Sequence, residues 1–169
     1  MADPSIRKLG RPLRLTGYRL VYRAFATTPL EARAEGRFSR QGDGPTTYLS
    51  LERRTAARQV AKRWGMIESN RAAYVEFEVP VRLRRVVDLT DADMASQFGV
   101  SRQTLTGPDL MPCQALAARL RAAGVEGILT WSSADPEGKN LVIFLDGLDA
   151  SSSLGPPTAM RSSEERGNP

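Results

Sequence analysis

The sequence predicts a mixed α+β fold, and three stretches carry that prediction. Residues 73–79 alternate between apolar and polar side chains, which is typical of a half-exposed strand. Residues 52–64 repeat their apolar side chains with the period of a helix. Residues 140–145 form a continuous apolar run, which is typical of a strand buried on both faces. The chain therefore combines several strands with two or three helices.

The other predicted elements follow from turn, cap and propensity signals. In chain order, they are a strand over 18–25, a loop over 26–45, a strand over 46–50, a strand over 82–89 after Pro80, a short helix after an N-cap at Thr90, a helix over 114–123 that ends at Gly124, and a strand over 127–131.

The length of 169 residues is that of one domain with some chain to spare. Residues 1–15 are polar, basic and interrupted by two prolines, so we predict a flexible N-terminal arm. Residues 16–149 are predicted to form the folded domain. Residues 150–169 are rich in serine, proline and charge and cannot bury much apolar surface, so we predict a disordered tail.

Composition argues against membrane and secreted classes. No apolar run approaches the roughly eighteen residues of a membrane span, and the N-terminus lacks the apolar centre of a signal peptide. We therefore expect a soluble, cytoplasmic protein with no membrane partner. The single cysteine, Cys113, cannot form an internal disulfide, in keeping with a reducing compartment.

The chain has no histidine, which excludes Ser-His-Asp and Cys-His nucleophiles and the usual zinc sites, and we expect no metal. The net charge is +5, and nearly all the cations are arginines, whose planar guanidinium suits phosphates and carboxylates. A compositional bias of the source explains the arginines equally well. They are interleaved with acids along the chain, which argues against direct nucleic-acid binding as the main function.

Two separated stretches contain the side chains of a candidate ligand pocket. The first runs from Gly36-Arg37-Phe38-Ser39 through Tyr48 into the helix over 52–64, and the second is residues 131–134. An arginine behind a glycine, an aromatic residue one short loop later and a helix beside it are typical of half a pocket for a phosphate-bearing ligand. The order and spacing of the pieces are specific, whereas each piece alone is not.

These stretches together resemble the RES domain family, small bacterial toxins named for an Arg, a Glu and a Ser. The resemblance spans about residues 18–147 and is carried by Tyr22-Arg23-Ala24-Phe25, Gly36-Arg37-Phe38-Ser39, Tyr48-Leu49-Ser50, the alanine-rich helix, Val87-Asp88-Leu89-Thr90, Ser132-Ser133-Ala134 and Asn140-Leu141-Val142. It implies an ADP-ribosyltransferase-like fold, a split, twisted mixed sheet with two to four helices. It also implies a cognate antitoxin as partner and NAD as the substrate, cleaved at the nicotinamide–ribose bond.

The resemblance also implies roles for individual residues. The catalytic set would be Arg37, Tyr48, Gln59 and Ser133. Arg23 would join Arg37, Tyr48 and Ser133 in binding NAD: the arginines at the pyrophosphate, the phenol as a wall for nicotinamide, and the hydroxyl at the amide or ribose. Ser132 could exchange roles with Ser133. Each residue also has a structural interpretation, as a surface arginine, a core aromatic, a turn serine or a helix-surface amide.

Gln59 is the one serious departure, because the family has glutamate eleven residues past the tyrosine that Tyr48 matches. Glutamine has no negative charge to offset an oxocarbenium-like sugar. Glu52 or Glu35 could replace the missing acid, the residue could belong to a slowed variant that transfers ADP-ribose, or it could be an introduced substitution. The candidate functions are thus an NAD-cleaving toxin, an ADP-ribosyltransferase that modifies a protein, and a catalytically silent module that binds a nucleotide or a partner.

Overall fold

The structure is a computed structural model and describes residues 4–31, 35–65 and 68–160. Within these residues the chain has a mixed α+β fold with five α-helices and one seven-stranded sheet. The helices are α1 Pro4–Leu9, α2 Arg53–Trp64, α3 Ala92–Gln97, α4 Arg102–Thr106 and α5 Met111–Ala122. The strands are β1 Arg11–Tyr22, β2 Thr46–Ser50, β3 Tyr74–Asp88, β4 Gly127–Trp131, β5 Lys139–Phe144, β6 Ser153–Leu154 and β7 Thr158–Ala159.

The sheet closes on itself, because its first strand, β1, pairs with both β2 and β3. The path β1–β2–β5–β4–β3 returns to β1, because β1 pairs with β3 in antiparallel fashion along almost its whole length. The β3–β4 pairing is parallel, whereas β5 is antiparallel to both β4 and β2. By contrast, β1 and β2 are joined by one register pair, Tyr18 with Ser50. This junction is the weakest seam of the curved sheet.

An apolar cluster packs against each face of the sheet, and β5 contributes side chains to both clusters. Leu141 and Ile143 pack in the cluster on the inner, concave face, and Val142 and Phe144 pack in the cluster on the outer face. All four side chains are fully buried. Successive residues of a strand point to opposite faces, so the continuous apolar run reflects burial on both sides, as predicted.

Helix α5 covers the outer face. Cys113, Leu116 and Leu120 are buried there, at the three- and four-residue spacing of a helix stripe. The helix begins at Met111, three residues before the prediction, with Pro112 in its first turn, where a missing N–H costs nothing. Gly124, just past its end, has φ +78°, which suits the predicted stop.

The structure contradicts several predictions about the fold. Residues 4–15 are not a flexible arm, because α1 buries Ile6 in the outer cluster and β1 begins at Arg11. The N-cap of α3 is Asp91, which accepts the Met94 N–H at 2.8 Å, and not Thr90. The number of α-helices in the described residues is five, against two to four expected.

The two strands predicted over 73–79 and 82–89 are one strand, β3, which runs from Tyr74 to Asp88. A strand residue directs its N–H and C=O to the same side, and the Pro80 carbonyl accepts the Gly155 N–H at 2.7 Å on the β6 side. The missing N–H of Pro80 therefore falls in the gap between β7 and β6 and removes no bond from the β1–β3 ladder.

The first part of the predicted disordered tail is ordered, because β6 and β7 both pair with β3. Residues 161–169 of that tail and residues 1–3 of the predicted arm lie outside the described residues. Among the helices of the described ranges, each is too short or too polar to cross a bilayer.

Candidate functional site

A cavity of about 680 Å³ lies on the outer face of the sheet, beside the seam between β1 and β2. This volume is within the range of roughly 300–1,000 Å³ that is typical of small-molecule sites. Its lining includes Arg37, Tyr48, Gln59 and Ser133, which come from a loop, β2, α2 and the loop after β4. The structure thus brings together the four residues that the sequence predicted as a catalytic set.

One wall of the cavity is a tight turn that the Tyr48 phenol holds. Gly36 and Ser39 exchange backbone hydrogen bonds of 2.9 and 3.3 Å. The Phe38 N–H donates to the Tyr48 hydroxyl at 3.0 Å, and the Ser39 hydroxyl lies 3.2 Å from the same oxygen. A Cβ on Gly36 would lie 2.7 Å from that oxygen, so the turn needs glycine here. Because its hydroxyl is engaged by the turn, Tyr48 can offer a ligand mainly its ring.

The Tyr48 phenol is neutral at ordinary pH. Burial raises its pKa, and the hydrogen bonds from Ser39 and Phe38, together with the nearby cations Arg121 and Arg37, offset this only in part. A neutral phenol is a suitable acceptor for the Phe38 N–H, so the protonation state supports the turn geometry.

Arg37 projects from this turn and is half-buried. Its Nη1 donates to the Gly107 carbonyl at 2.7 Å, which fixes the guanidinium at the cavity wall. A guanidinium carries five N–H donors, so this one carbonyl leaves donors for an anion. Arg19 on β1 also lines the cavity, and it donates to Thr47 Oγ1 and to the Glu31 carbonyl. The sequence analysis missed Arg19. Its only signal was a basic residue four positions before Arg23 in a strand-like stretch.

Arg23 does not line this cavity. It lies in the 3₁₀ turn Arg23–Phe25, because β1 ends at Tyr22, and it is exposed. Its Nε and Nη2 donate to the Ala72 carbonyl at 3.2 and 3.0 Å. The prediction that Arg23 lies on the first strand is therefore wrong, and its observed role is to tie the end of β1 to the start of β3.

The two serines after β4 have different roles. Ser132 is buried, and its Oγ accepts from Gln59 Nε2 at 2.9 Å and from the Ala134 and Asp135 N–H groups at 3.1 and 3.0 Å. Ser133 lines the cavity. Ser132 thus links helix α2 to the loop, and Ser133 is the residue presented to the cavity.

A buried carboxylate locks the same loop to α2. Asp135 is fully buried and accepts from Thr55 Oγ1 at 2.8 Å, from Arg58 Nη1 at 2.5 Å and from Arg54 Nε at 3.3 Å. Burial alone would raise its pKa, but these hydrogen bonds and the two guanidinium charges together lower it. Asp135 is therefore ionised at neutral pH and fixes the spacing between Gln59 and the serine loop.

Neither acid considered as a substitute for the family glutamate lines the cavity. Glu52 precedes α2, is exposed, and lies 3.7 Å from Arg54. Glu35 is exposed. Among the described residues that line the cavity there is no Asp or Glu, whereas two arginines are present. Two guanidinium groups without a carboxylate in the described lining suit an anionic ligand.

Aromatic rings surround the mouth of the cavity. Tyr22 and Phe25 line it although they are 48% and 46% exposed, and Tyr22 also packs edge-on against Tyr74 with ring centroids 5.6 Å apart. Trp131 lines the other side, with the Arg102 guanidinium 3.9 Å above its ring. Flat aromatic ligands stack favourably on such faces.

A family model described as the RES domain matches residues 11–160 of the chain. The fold is similar to that of a chain in the crystal structure of the M. tuberculosis MbcT–MbcA toxin–antitoxin complex. The TM-score is 0.71 at 16% sequence identity, over 94% of this chain and 92% of that chain. No curated protein matches the sequence. At this identity the structural likeness establishes a shared fold.

Proposed function

Because the chain belongs to the RES domain family, we propose that it is the toxin of a toxin–antitoxin system and that it binds NAD in this cavity and cleaves the nicotinamide–ribose bond. The family named from the sequence is confirmed by the match over residues 11–160. The observation that carries the proposal is the convergence of Arg37, Tyr48, Gln59 and Ser133 on one cavity.

The charge of the cavity suits the pyrophosphate of NAD. Arg37 and Arg19 both line the cavity. Planar guanidinium groups bind phosphate oxygens in bidentate fashion. We propose for Arg19 the phosphate-binding role that the sequence gave to Arg23, because Arg19 lines the cavity and Arg23 does not.

The rings of the cavity suit the two flat groups of NAD. The ring of Tyr48 faces the interior near the sheet, while Tyr22, Phe25 and Tyr74 form an aromatic group at the mouth. We propose that nicotinamide packs inside and that the adenine stacks at the mouth, where exposure of the rings to solvent leaves space for it.

The reaction needs little acid–base chemistry, which fits a chain without histidine. The bond between the ribose anomeric carbon and the nicotinamide nitrogen breaks, and its electron pair goes to that nitrogen. The cationic ring leaves as neutral nicotinamide without a general acid. An acceptor oxygen then bonds to the oxocarbenium-like carbon and releases its proton to solvent. Water, phosphate or a protein side chain can be that acceptor.

The cavity is better equipped to bind NAD than to stabilise the cationic transition state. Gln59 can hold a ribose hydroxyl, but it provides no negative charge. We therefore propose slow turnover. The second candidate, a module that binds the nucleotide without cleaving it, is favoured by the same observation, namely that no carboxylate lines the cavity in the described residues.

We further propose that the fold is of the ADP-ribosyltransferase type, with the split of the sheet at the seam between β1 and β2. A single register pair joins these strands, and the cavity lies beside it. A cognate antitoxin is proposed as partner, in a cytoplasmic setting, because the similar structure is described as a toxin–antitoxin complex.

Nicotinamide release tests the proposal. Purified protein is incubated with NAD and phosphate, and nicotinamide is measured against a buffer blank, with radiolabelled NAD and a cell lysate run in parallel. Release without a labelled protein band supports cleavage to water or phosphate, whereas a labelled band supports the ADP-ribosyltransferase alternative. Arg37→Ala should weaken NAD binding, and Arg119→Ala, at an exposed position of α5, is the matched control. Absence of both NAD binding and release in the unaltered chain contradicts the proposal.

A further inference from the structure

A polar row crosses three strands on the floor of the cavity. Ser50 of β2 lies opposite Asn140 of β5, and Asn140 lies opposite Thr130 of β4. Directly opposed residues in antiparallel strands point to the same face of a sheet, and all three residues line the cavity. We call Ser50, Asn140 and Thr130 the polar row.

The hydroxyl of Thr130 is the unusual member of the polar row. Thr130 is 1% exposed, and its Oγ1 is the one buried side-chain nitrogen or oxygen of the described residues without a hydrogen-bond partner. A buried hydroxyl without a partner is destabilising, so native structures normally provide one. Its place on the cavity floor points to a ligand as the missing partner.

Asn140 extends the same surface. Its Oδ1 accepts the Ser50 hydroxyl at 3.0 Å, which sets the orientation of the amide. Its NH₂ group donates to no acceptor in the described part of the chain. The row thus presents a neutral N–H donor beside a hydroxyl that can donate or accept.

The next rung of the sheet on the same face is apolar. Two residues away along each strand, Tyr48 lies opposite Val142, which lies opposite Ile128. Two residues of a strand span about 6.8 Å, so the apolar rung and the polar row are adjacent. A flat apolar ring that carries one neutral donor–acceptor group matches this pair of rungs.

We propose that the polar row is a specificity-determining subsite that binds the primary carboxamide of nicotinamide, with its ring over Tyr48 and Val142. This inference rests on the proposed NAD-binding function. A carboxamide offers its oxygen to the Asn140 NH₂ and its own NH₂ to Thr130 Oγ1. Neutral partners suit this group, because burial of a charged group without a countercharge is costly.

Thr130→Val tests the subsite with two readouts that move in opposite directions. Valine has nearly the shape of threonine and removes only the hydroxyl. Thermal stability should stay equal or rise, because a hydroxyl without a protein partner is lost. By contrast, Thr47→Val, which removes a buried hydroxyl that Arg19 contacts, should lower stability and serves as the matched control.

Affinity is measured by calorimetry with carba-NAD, an analogue whose nicotinamide linkage resists cleavage, and with ADP-ribose, which lacks nicotinamide. For Thr130→Val we expect the Kd of carba-NAD to rise about 10-fold, since a ligand amide loses its partner, and the Kd of ADP-ribose to change less than 2-fold. Thr130→Ser should restore carba-NAD binding to within about 3-fold of the unaltered chain.

The outcomes separate the subsite from the proposed function. If carba-NAD binds the unaltered chain and Thr130→Val leaves its Kd unchanged, the subsite is refuted and NAD binding stands. If both ligands weaken equally, the row contacts the ribose or the phosphates, which overturns the assignment to the carboxamide. If neither ligand binds the unaltered chain, the proposed function fails together with the subsite.

Discussion

Gln59→Glu should speed the proposed cleavage of NAD. The Gln59 amide nitrogen lies 2.9 Å from Ser132 Oγ, which also accepts two backbone N–H groups. The proton of that hydroxyl is free to turn towards residue 59, so a glutamate there would receive a hydrogen bond without any rearrangement. Lys62 Nζ donates to the Ser133 carbonyl at 2.6 Å, so a cation lies beside the serine loop that Gln59 contacts.

The size of the effect follows from electrostatics. A carboxylate about 4 Å from a developing positive charge, at an effective dielectric constant near 20, stabilises it by about 4 kcal/mol. Removal of one preorganised group in other enzymes costs roughly 10²–10³ in rate, or about 2.7–4 kcal/mol. Gln59 is only half-buried, so screening by water places the expected gain at the lower end, about 10² in kcat.

The assay is nicotinamide release at saturating NAD, with kcat and KM determined separately. We expect kcat to rise and KM to change little, because the added charge acts on the transition state. Gln103→Glu makes the same chemical change at an exposed position of α4, away from the cavity, and should have no effect. If Gln59→Glu binds NAD normally and its kcat equals that of the unaltered chain, the missing carboxylate is not what limits the reaction.

Three further predictions concern the supports of the site. Asp135→Asn should lower the free energy of unfolding in urea by roughly 2–3 kcal/mol, because it leaves Arg54 and Arg58 facing a neutral group. The control is Asp146→Asn, which removes an exposed ion pair with Arg121 and should cost less than about 1 kcal/mol. The folded-state pKa of Asp135 is lowered from 3.8, so its contribution to stability is complete above about pH 5 and is lost progressively as the pH falls. The stability difference between the unaltered chain and Asp135→Asn should therefore shrink from pH 5 to pH 3, and a growing difference contradicts this. Gly36→Ala should weaken carba-NAD binding about 10-fold, because its Cβ would lie 2.7 Å from the Tyr48 hydroxyl, whereas Gly147→Ala, whose Cβ would meet nothing closer than 3.8 Å, should bind normally.

The parts of the fold that local patterns encode were predictable. Strands β2 and β4 and helix α2 lie within one residue of their predicted bounds, because each has a strong periodicity or is bounded by turn residues. The start of β1 was missed, since Arg11 to Leu15 are held by pairing with β3 about 70 residues away. The short strands β6 and β7 were missed for the same reason. Long-range pairing overrides a polar, proline-containing local sequence.

In the candidate site too, local motifs identify some residues and long-range pairing identifies the others. Arg37, Tyr48, Gln59 and Ser133 could be named from motif order, and they line one cavity. Thr130 and Asn140 could not, because what singles them out is the register of β4 against β5. A threonine in an apolar strand has no distinctive sequence signal. Only the structure shows that the Thr130 hydroxyl lacks a hydrogen-bond partner.

The structure separates the residues that would bind NAD from the one position that would set its rate of cleavage. Asp135 holds α2 against the serine loop through Thr55 and Arg58. Residue 59 adds one hydrogen bond to this junction, to Ser132 Oγ. The arginines, the aromatic mouth and the polar row lie on other elements. A change at residue 59 should therefore alter turnover while the affinity for NAD stays nearly constant, which is the behaviour expected when a preorganised site lacks a single charge.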